Sequence, residues 1–188
     1  MRDKILDVAQ RLVQERGLNA VSFQDIAQEV GLKKPSLFHH FANKDAVAEA
    51  LLLRCRTSYG ERYAEVLNQD VPAPEKLKGI AHLFDEGLRK EQSCLLAALG
   101  NGSGTLSESL REELQRTADL SVERYTTVFQ QGRSEGTLQF SGEPKQAAQA
   151  FLGMLQGLQI LLRAEGKLDG LTPAANAFIK SISTSTTE

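Results

Sequence analysis

The chain has 188 residues, a formal net charge of −2 and 41% apolar residues, which provides for one or two folded domains and excludes a disordered protein. Cys55 and Cys94 lie far apart and outside any metal-ligand spacing, so neither a disulfide framework nor a zinc site is indicated. The N-terminus carries acidic residues and the most apolar stretch, Phe151–Leu162, is too short to span a bilayer. We therefore expect a cytoplasmic protein without a membrane partner.

Apolar residues recur every three or four positions almost throughout, which predicts an all-α fold of about nine helices. A first helix is expected from about Arg2 to Arg16, with Gly17 at the position of a left-handed cap. Ser22 is a suitable N-cap for a short second helix over Phe23–Val30, which Gly31 ends.

A third short helix is predicted from about Lys34, with Leu37 and Phe41 on its inner face. Pro35 is tolerated there because it falls in the first turn, whose N–H groups have no partners within the helix. Asn43 caps a long fourth helix over residues 44–68, which we expect to connect two domains.

Beyond a break at Asp70–Pro74, further amphipathic helices are expected to the end of the chain. A glycine-rich loop at Gly100–Gly104 precedes a long helix from about Ser107 to Arg133. From Pro144 the pattern is apolar on several faces, and Thr172 followed by Pro173 predicts an N-cap and the first residue of the last helix.

Positive charge is concentrated in the first third of the chain. Residues 1–60 hold nine Lys and Arg against seven acidic residues, whereas the remainder holds thirteen against seventeen. The stretch Lys33–Lys44 contains three lysines and two histidines and no acid. Such a patch is suited to face phosphate groups.

The stretch Ser22–Phe41 reads as two short helices joined by a glycine turn, the helix-turn-helix arrangement in which the second helix enters the major groove of DNA. It resembles the TetR family of transcriptional regulators over about Lys4–Leu53. The matching positions are Ile26-Ala27, Gly31, Leu37-Phe38, His40-Phe41 and Asn43-Lys44-Asp45. The resemblance implies a three-helix DNA-binding domain over residues 1–45 and a larger helical domain over 46–188 for effector binding and dimerisation.

The resemblance implies which face of this motif meets a DNA duplex, and the expected DNA contacts follow from that face. Ser22 and Gln24 begin the second helix and approach phosphate or the groove edge. Lys33, Lys34 and Lys44 supply phosphate affinity that falls with salt, unless they form only a solvated face. The exposed part of the reading helix carries Lys34, Pro35, Ser36, His39 and His40, of which Ser36 and His39 suit base edges.

Two positions depart from the family pattern. Phe38 stands where many relatives have Tyr, so a hydroxyl that bonds phosphate is missing. Lys33 replaces the small hydroxyl residue that often caps the reading helix. Phe38 completes the predicted set of DNA-contacting residues. The operator sequence of a relative cannot be transferred to this protein.

An effector pocket is predicted within the helical core of the larger domain, although helical spacing alone makes plain core packing the default interpretation. Its candidate lining residues are Phe84, Cys94, Leu99, Tyr125, Phe129, Phe151, Met154 and Leu155. Cys94 is either a small buried hydrophobe or a thiol that senses oxidants or electrophiles. His39 and His40 diverge by about 100° on a helix and do not suggest a metal site, and no cofactor is expected.

The predicted function is that of a homodimeric repressor that binds a palindromic double-stranded operator and is released by a small-molecule effector. The helices near Ala118–Arg133, Pro144–Ala164 and Pro173–Ile182 are expected to pack across the two-fold axis. The alternative is a helical architectural or interaction protein that binds DNA nonspecifically. An enzyme is disfavoured, because the sequence has no nucleophile elbow, no metal-ligand cluster and no strand before Gly100–Gly104 to form a phosphate loop.

Overall fold

The computed structural model describes residues 1–101, 104 and 106–184, apart from the side chains of residues 58 and 59. In chain order its helices are α1 (Arg2–Arg16), α2 (Phe23–Val30), α3 (Lys34–Phe38), α4 (Lys44–Arg54), α5 (Gly60–Leu67), α6 (Ala73–Arg89), α7 (Leu95–Gly100), α8 (Glu108–Glu135), α9 (Pro144–Ala164) and α10 (Leu171–Ile182). A π-helical turn, Cys55–Tyr59, joins α4 to α5 without a break, so the described residues form nine continuous helices. The expected all-α fold is confirmed.

The chain divides into two compact units. The first unit comprises Met1–Gly60 and Gln92–Ala118, and the second comprises Glu61–Glu91 and Asp119–Glu188. Both units are therefore assembled from two separate stretches of sequence. The functional boundary near residue 45 is a different division from this one and stays a prediction.

The core of the first unit is built by the apolar faces that the sequence pattern predicts. Ile5 and Leu12 of α1, Ile26 of α2 and Leu51 of α4 are each at most 1% exposed. Burial of such side chains stabilises a fold by about 1.5–3 kcal/mol each. Leu99 of α7 belongs to the same core and is fully buried, so α7 packs with the N-terminal helices.

The ends of α2 and α4 are fixed as expected. The Ser22 hydroxyl accepts a hydrogen bond from the Asp25 backbone N–H, and Gly31 ends α2 in the left-handed conformation, with φ 78° and ψ 32°. The Asn43 side chain accepts a hydrogen bond of 2.8 Å from the Ala46 backbone N–H at the start of α4. These caps supply partners for N–H groups that the helix itself leaves unpaired.

Two predicted helix ends were wrong in detail. Gly17 has φ 82° but ψ 154°, which lies outside the left-handed helical region expected of the cap, although its positive φ still favours glycine. The last helix begins at Leu171 with Gly170 as its N-cap, and Thr172 and Pro173 are its second and third residues. The Asp85 carboxylate accepts a 3.3 Å hydrogen bond from the Thr172 N–H and so replaces the expected cap.

In the second unit, α6, α9 and α10 pack against one another. Buried aromatic side chains come from α6, α8 and α9. Phe84, Tyr125, Phe129 and Phe151 are at most 3% exposed. Two residues of the predicted glycine-rich loop, 102 and 103, lie outside the described residues. Within the described part of the chain, no helix is long and apolar enough to cross a membrane.

Candidate DNA-binding surface and aromatic core

The reading helix α3 is only five residues long and begins after Lys33, whose backbone is extended. Leu37 is fully buried and Phe41 is 3% exposed, which holds α3 against the rest of the first unit as predicted. Lys34 and Pro35 are exposed on the opposite side. The helix therefore presents its polar side to solvent while one leucine anchors it.

The two histidines are not part of α3. The helix ends at Phe38, and His39 and His40 lie in the turn that follows, where both remain exposed. The Leu37 carbonyl accepts hydrogen bonds from the N–H groups of His40 and Phe41, each at 2.9 Å, so this turn is well ordered by the backbone. The expectation that both histidines extend the reading helix was wrong, because the chain turns after five residues.

The three predicted phosphate-binding lysines occupy different environments. Lys33 and Lys34 are exposed, and within the described residues neither forms a hydrogen bond or ion pair. Lys44 is half-buried, and its ammonium group donates a 3.0 Å hydrogen bond to the Leu18 carbonyl. Lys44 thus ties the start of α4 to the turn after α1, a contact across 26 residues that the charge pattern does not reveal.

The Ser22 hydroxyl is already engaged within α2. It donates a 2.6 Å hydrogen bond to an Asp25 carboxylate oxygen, which also accepts a 2.7 Å hydrogen bond from the Ser22 N–H. The hydroxyl hydrogen bond, followed by the backbone one, lowers the pKa of Asp25 below its ordinary value. Gln24, exposed two positions after Ser22, has a polar side chain that remains open to a partner.

Ser36 and Phe38 complete the predicted contact set. Ser36 is half-buried, whereas the phenyl ring of Phe38 is 51% exposed. The Phe38 ring lies 5.0 Å from the ring of Phe23, centroid to centroid. All predicted DNA-contacting residues thus belong to the first unit, in α2 and α3, the residues that precede these two helices, the turn after α3 and the first residue of α4.

The predicted effector residues divide between the two units. Six belong to the second unit, where Phe84, Tyr125, Phe129, Phe151 and Leu155 are buried and Met154 is half-buried. Cys94 and Leu99 belong to the first unit, where Leu99 is part of the core and Cys94 is half-buried just before α7. The sequence pattern could not separate these sets, because it does not register that the chain returns to the first unit at Gln92.

An aromatic cluster forms the centre of the second unit. The ring of Phe151 lies 6.4 Å from Tyr125, 5.9 Å from Phe129 and 6.1 Å from Phe178. Tyr63 lies 6.0 Å from Tyr125, and Phe140 lies 5.3 Å from Phe129. Sequence reasoning missed Tyr63, Phe140 and Phe178 as cluster members, because each comes from a different part of the chain and only the fold brings them together.

Two buried polar side chains lie in the same unit and carried no signal in the sequence. Asp85 and Gln159 are each 2% exposed. Asp85 accepts a 2.7 Å hydrogen bond from the Arg89 guanidinium, which raises the pKa of Arg89. Gln159 donates a 2.9 Å hydrogen bond to the Phe84 carbonyl. These partners compensate the cost of removing each group from water.

The π-helical turn between α4 and α5 is held by a charged contact that the sequence did not indicate. The Arg56 guanidinium hydrogen-bonds the Glu113 carboxylate and, at 3.2 Å, the Thr117 hydroxyl. The Arg56 hydrogen bond is the main reason that the pKa of Glu113 is lowered. Such single π-helical turns often mark functional positions in a helix.

Comparison with known proteins assigns the N-terminal head to a family. Residues 5–51 match the model of the bacterial regulatory proteins of the tetR family. The HTH-type transcriptional repressor NemR of Escherichia coli is 24% identical, over 96% of this chain and 92% of that protein. The repressor KstR2 of Mycobacterium tuberculosis is 24% identical over 72% of this chain and 68% of its own length.

Solved structures agree with the fold over nearly the whole chain. A TetR-family regulator from Agrobacterium tumefaciens superposes with a TM-score of 0.90 at 24% identity and covers 97% of both chains. The reduced form of E. coli NemR gives a TM-score of 0.81 at 23% identity, over 100% of this chain and 99% of that one.

With this match on its helix-turn-helix head, the chain is a DNA-binding transcriptional regulator. Among such regulators, the head over residues 5–51 is that of the TetR family. The resemblance inferred from Ile26-Ala27 through Asp45 is thereby confirmed.

The different environments of Lys44 and Lys34 lead to a stability prediction. Lys44→Ala removes the hydrogen bond to the Leu18 carbonyl, and we expect it to lower the free energy of unfolding by about 1 kcal/mol. Lys34→Ala, at an exposed position of α3, should leave that free energy within about 0.5 kcal/mol of the wild type. Urea unfolding followed by circular dichroism measures both, and equal effects of the two substitutions would contradict the assignment.

Proposed function

We propose that the protein is a homodimeric repressor that binds a palindromic operator through residues 1–45 and is released when residues 46–188 bind a small effector. The observation that carries the proposal is the exposed Lys33–Lys34 pair at the start of a helix that Leu37 anchors from behind. On a helix-turn-helix head this places two fixed charges beside the reading face. The repressor would act in the cytoplasm.

The proposed DNA contacts fall into two kinds. Lys33 and Lys34 bind phosphates, which contributes affinity without sequence information. Ser36 and His39 contact base edges, and Gln24 contacts phosphate or a base edge from the first turn of α2. Lys44 has a smaller share than its charge suggests, since its ammonium group already holds the Leu18 carbonyl.

The proposed dimer forms through an apolar face of α9. Ile160 and Leu161 are 55% and 54% exposed, and they share this face with the exposed Gly153 and Gly157. A Cβ added at either glycine would meet nothing within 4 Å, so a second copy could approach the backbone closely there. A two-fold dimer would present its reading helices to two major grooves about 34–36 Å apart.

The proposed effector site lies in the aromatic core of the second unit, around Tyr125, Phe129 and Phe151. Among the structural relatives, one regulator was solved in complex with choline and KstR2 is described as a ketosteroid regulator. An aromatic core of this kind suits a compact, largely apolar effector. The continuous Lys44–Leu67 helix runs from one unit into the other, and its π-helical turn is where we expect effector binding to alter the helix.

Operator binding tests the first part of this proposal. Selection from a random duplex library should enrich one palindromic sequence, and Lys34→Ala should weaken binding to it. A plot of the logarithm of the operator-binding constant against the logarithm of salt concentration should become less steep by about one for each half-site, because one phosphate contact is lost there. Lys145→Ala, which removes an exposed lysine in the second unit, is the matched control. Equal slopes for Lys34→Ala and the wild type would reject this contact.

The dimer face is tested by placing charge on it. Ile160→Glu should convert the dimer into a monomer in sedimentation velocity, because a buried, unpaired carboxylate is costly at an apolar interface. Leu53→Glu places the same charge on another exposed apolar residue, 56% exposed in α4, and should leave the dimer intact. A dimer that persists in Ile160→Glu would rule out this face.

A second candidate function is thiol sensing through Cys94, which a single local observation favours. The preceding residue, Ser93, exchanges three hydrogen bonds with Gln14 of α1, at 2.7, 2.9 and 3.1 Å. Modification of Cys94 would therefore act next to a fixed contact with the DNA-binding head. If the thiol is the sensor, N-ethylmaleimide should release the wild type from its selected duplex and should leave Cys94→Ser bound. Release of both proteins alike would exclude Cys94.

A further inference from the structure

The ring of Phe38 is exposed at the last residue of the reading helix α3. It is 51% exposed, whereas the adjacent Leu37 is fully buried and Phe41, three residues later, is 3% exposed. Those two side chains anchor α3, so the core does not require a phenyl ring at position 38. Large aromatic side chains are normally among the most buried on average, and this one is directed outward on the helix that meets DNA.

The position of this ring is fixed from behind. Its centroid lies 5.0 Å from that of Phe23, with the two planes tilted by 51°. Phe23 is itself 8% exposed and is the first residue of α2, whose start is fixed by the Ser22–Asp25 hydrogen bonds. One side of the Phe38 ring therefore rests on a rigid neighbour while the other side is open.

The ring belongs to the same helix face as a proposed phosphate contact. Lys34 is four residues earlier in α3, and residues four apart are neighbours on a helix surface. With Lys34 at the DNA backbone, Phe38 would lie one turn further along the same face of the reading helix. A phenyl ring can neither donate nor accept a conventional hydrogen bond, so it cannot read the polar edges of the bases.

The apolar group that a base pair exposes in the major groove is the 5-methyl group of thymine. We propose that Phe38 reads a thymine methyl group in each operator half-site and is thus a specificity-determining residue. This inference rests on the proposed function, since it requires α3 to enter the major groove. A tyrosine at this position would direct a hydroxyl to phosphate, whereas the phenylalanine contributes to sequence discrimination instead.

The test begins with the duplex enriched by the wild-type protein from a random library. Each thymine of that duplex is replaced in turn by deoxyuridine, which removes only the methyl group. We expect one thymine per half-site at which this replacement weakens binding about fourfold, the effect of losing one buried methyl group. Replacing the same thymine with cytosine should weaken binding further. Replacing it with 5-methylcytosine, which carries the methyl group again, should restore part of that lost affinity.

The variant Phe38→Ala tests whether the phenyl ring causes the preference for the thymine methyl group. It should bind the thymine and deoxyuridine duplexes equally, whereas Phe38→Leu, which keeps an apolar side chain, should retain the preference for thymine. Lys145→Ala, outside the proposed contact set, should also retain the preference. Circular dichroism of each variant confirms that the head is folded, as expected for substitution at a half-exposed position.

The outcomes separate this inference from the function on which it rests. If a duplex is enriched but no thymine methyl group affects binding, or if Phe38→Ala keeps the full methyl preference, the inference is wrong and the repressor proposal stands. If Phe38→Ala loses affinity by the same factor for the thymine and deoxyuridine duplexes, the wild-type methyl preference is unchanged, the ring contacts the DNA backbone instead, and the inference is overturned in this case too. If no sequence is enriched, sequence-specific binding itself fails and the inference fails with it.

Discussion

Burial of Leu37 is the interaction on which the reading surface depends. A helix of five residues, such as α3, has too few internal hydrogen bonds to persist in water. Leu37, fully buried, and Phe41 supply the tertiary packing that holds it. The exposed residues of α3 owe their fixed directions to this anchor, and so does the ring of Phe38. The polar residues of the surface can therefore vary without loss of the helix, provided that the anchor is kept.

The head separates residues that stabilise it from residues that remain open to a ligand, although both sets look alike in the sequence. Ser22 and Lys44 have the residue types expected at a phosphate, but their polar groups hold Asp25 and Leu18. Gln24, Lys33 and Lys34 are exposed beside them. The first pair holds the backbone of the head, whereas the second set is open to the DNA contacts proposed above. We therefore expect substitutions in the two sets to act on DNA binding for different physical reasons.

The sequence predicted what local rules determine. The apolar stripe of α1, the caps at Ser22 and Asn43 and the ends of α2 follow from helical period and capping chemistry, which act within a few residues. The contacts that were missed join distant positions, such as Gln14 with Ser93 and Arg56 with Glu113. No periodic pattern encodes such pairs. For the same reason Cys94 and Leu99 were grouped with an aromatic core that belongs to the other unit.

The divided sequence of the first unit has a consequence for protein synthesis. Its core requires α7, because Leu99 packs in the same cluster as the N-terminal helices, and Ser93 bonds to Gln14 across 79 residues. The DNA-binding head therefore cannot complete its core when residue 60 leaves the ribosome. It must wait for residues 92–118, while the intervening segment is looped out. Maturation of the head is in this way tied to translation of more than half of the chain.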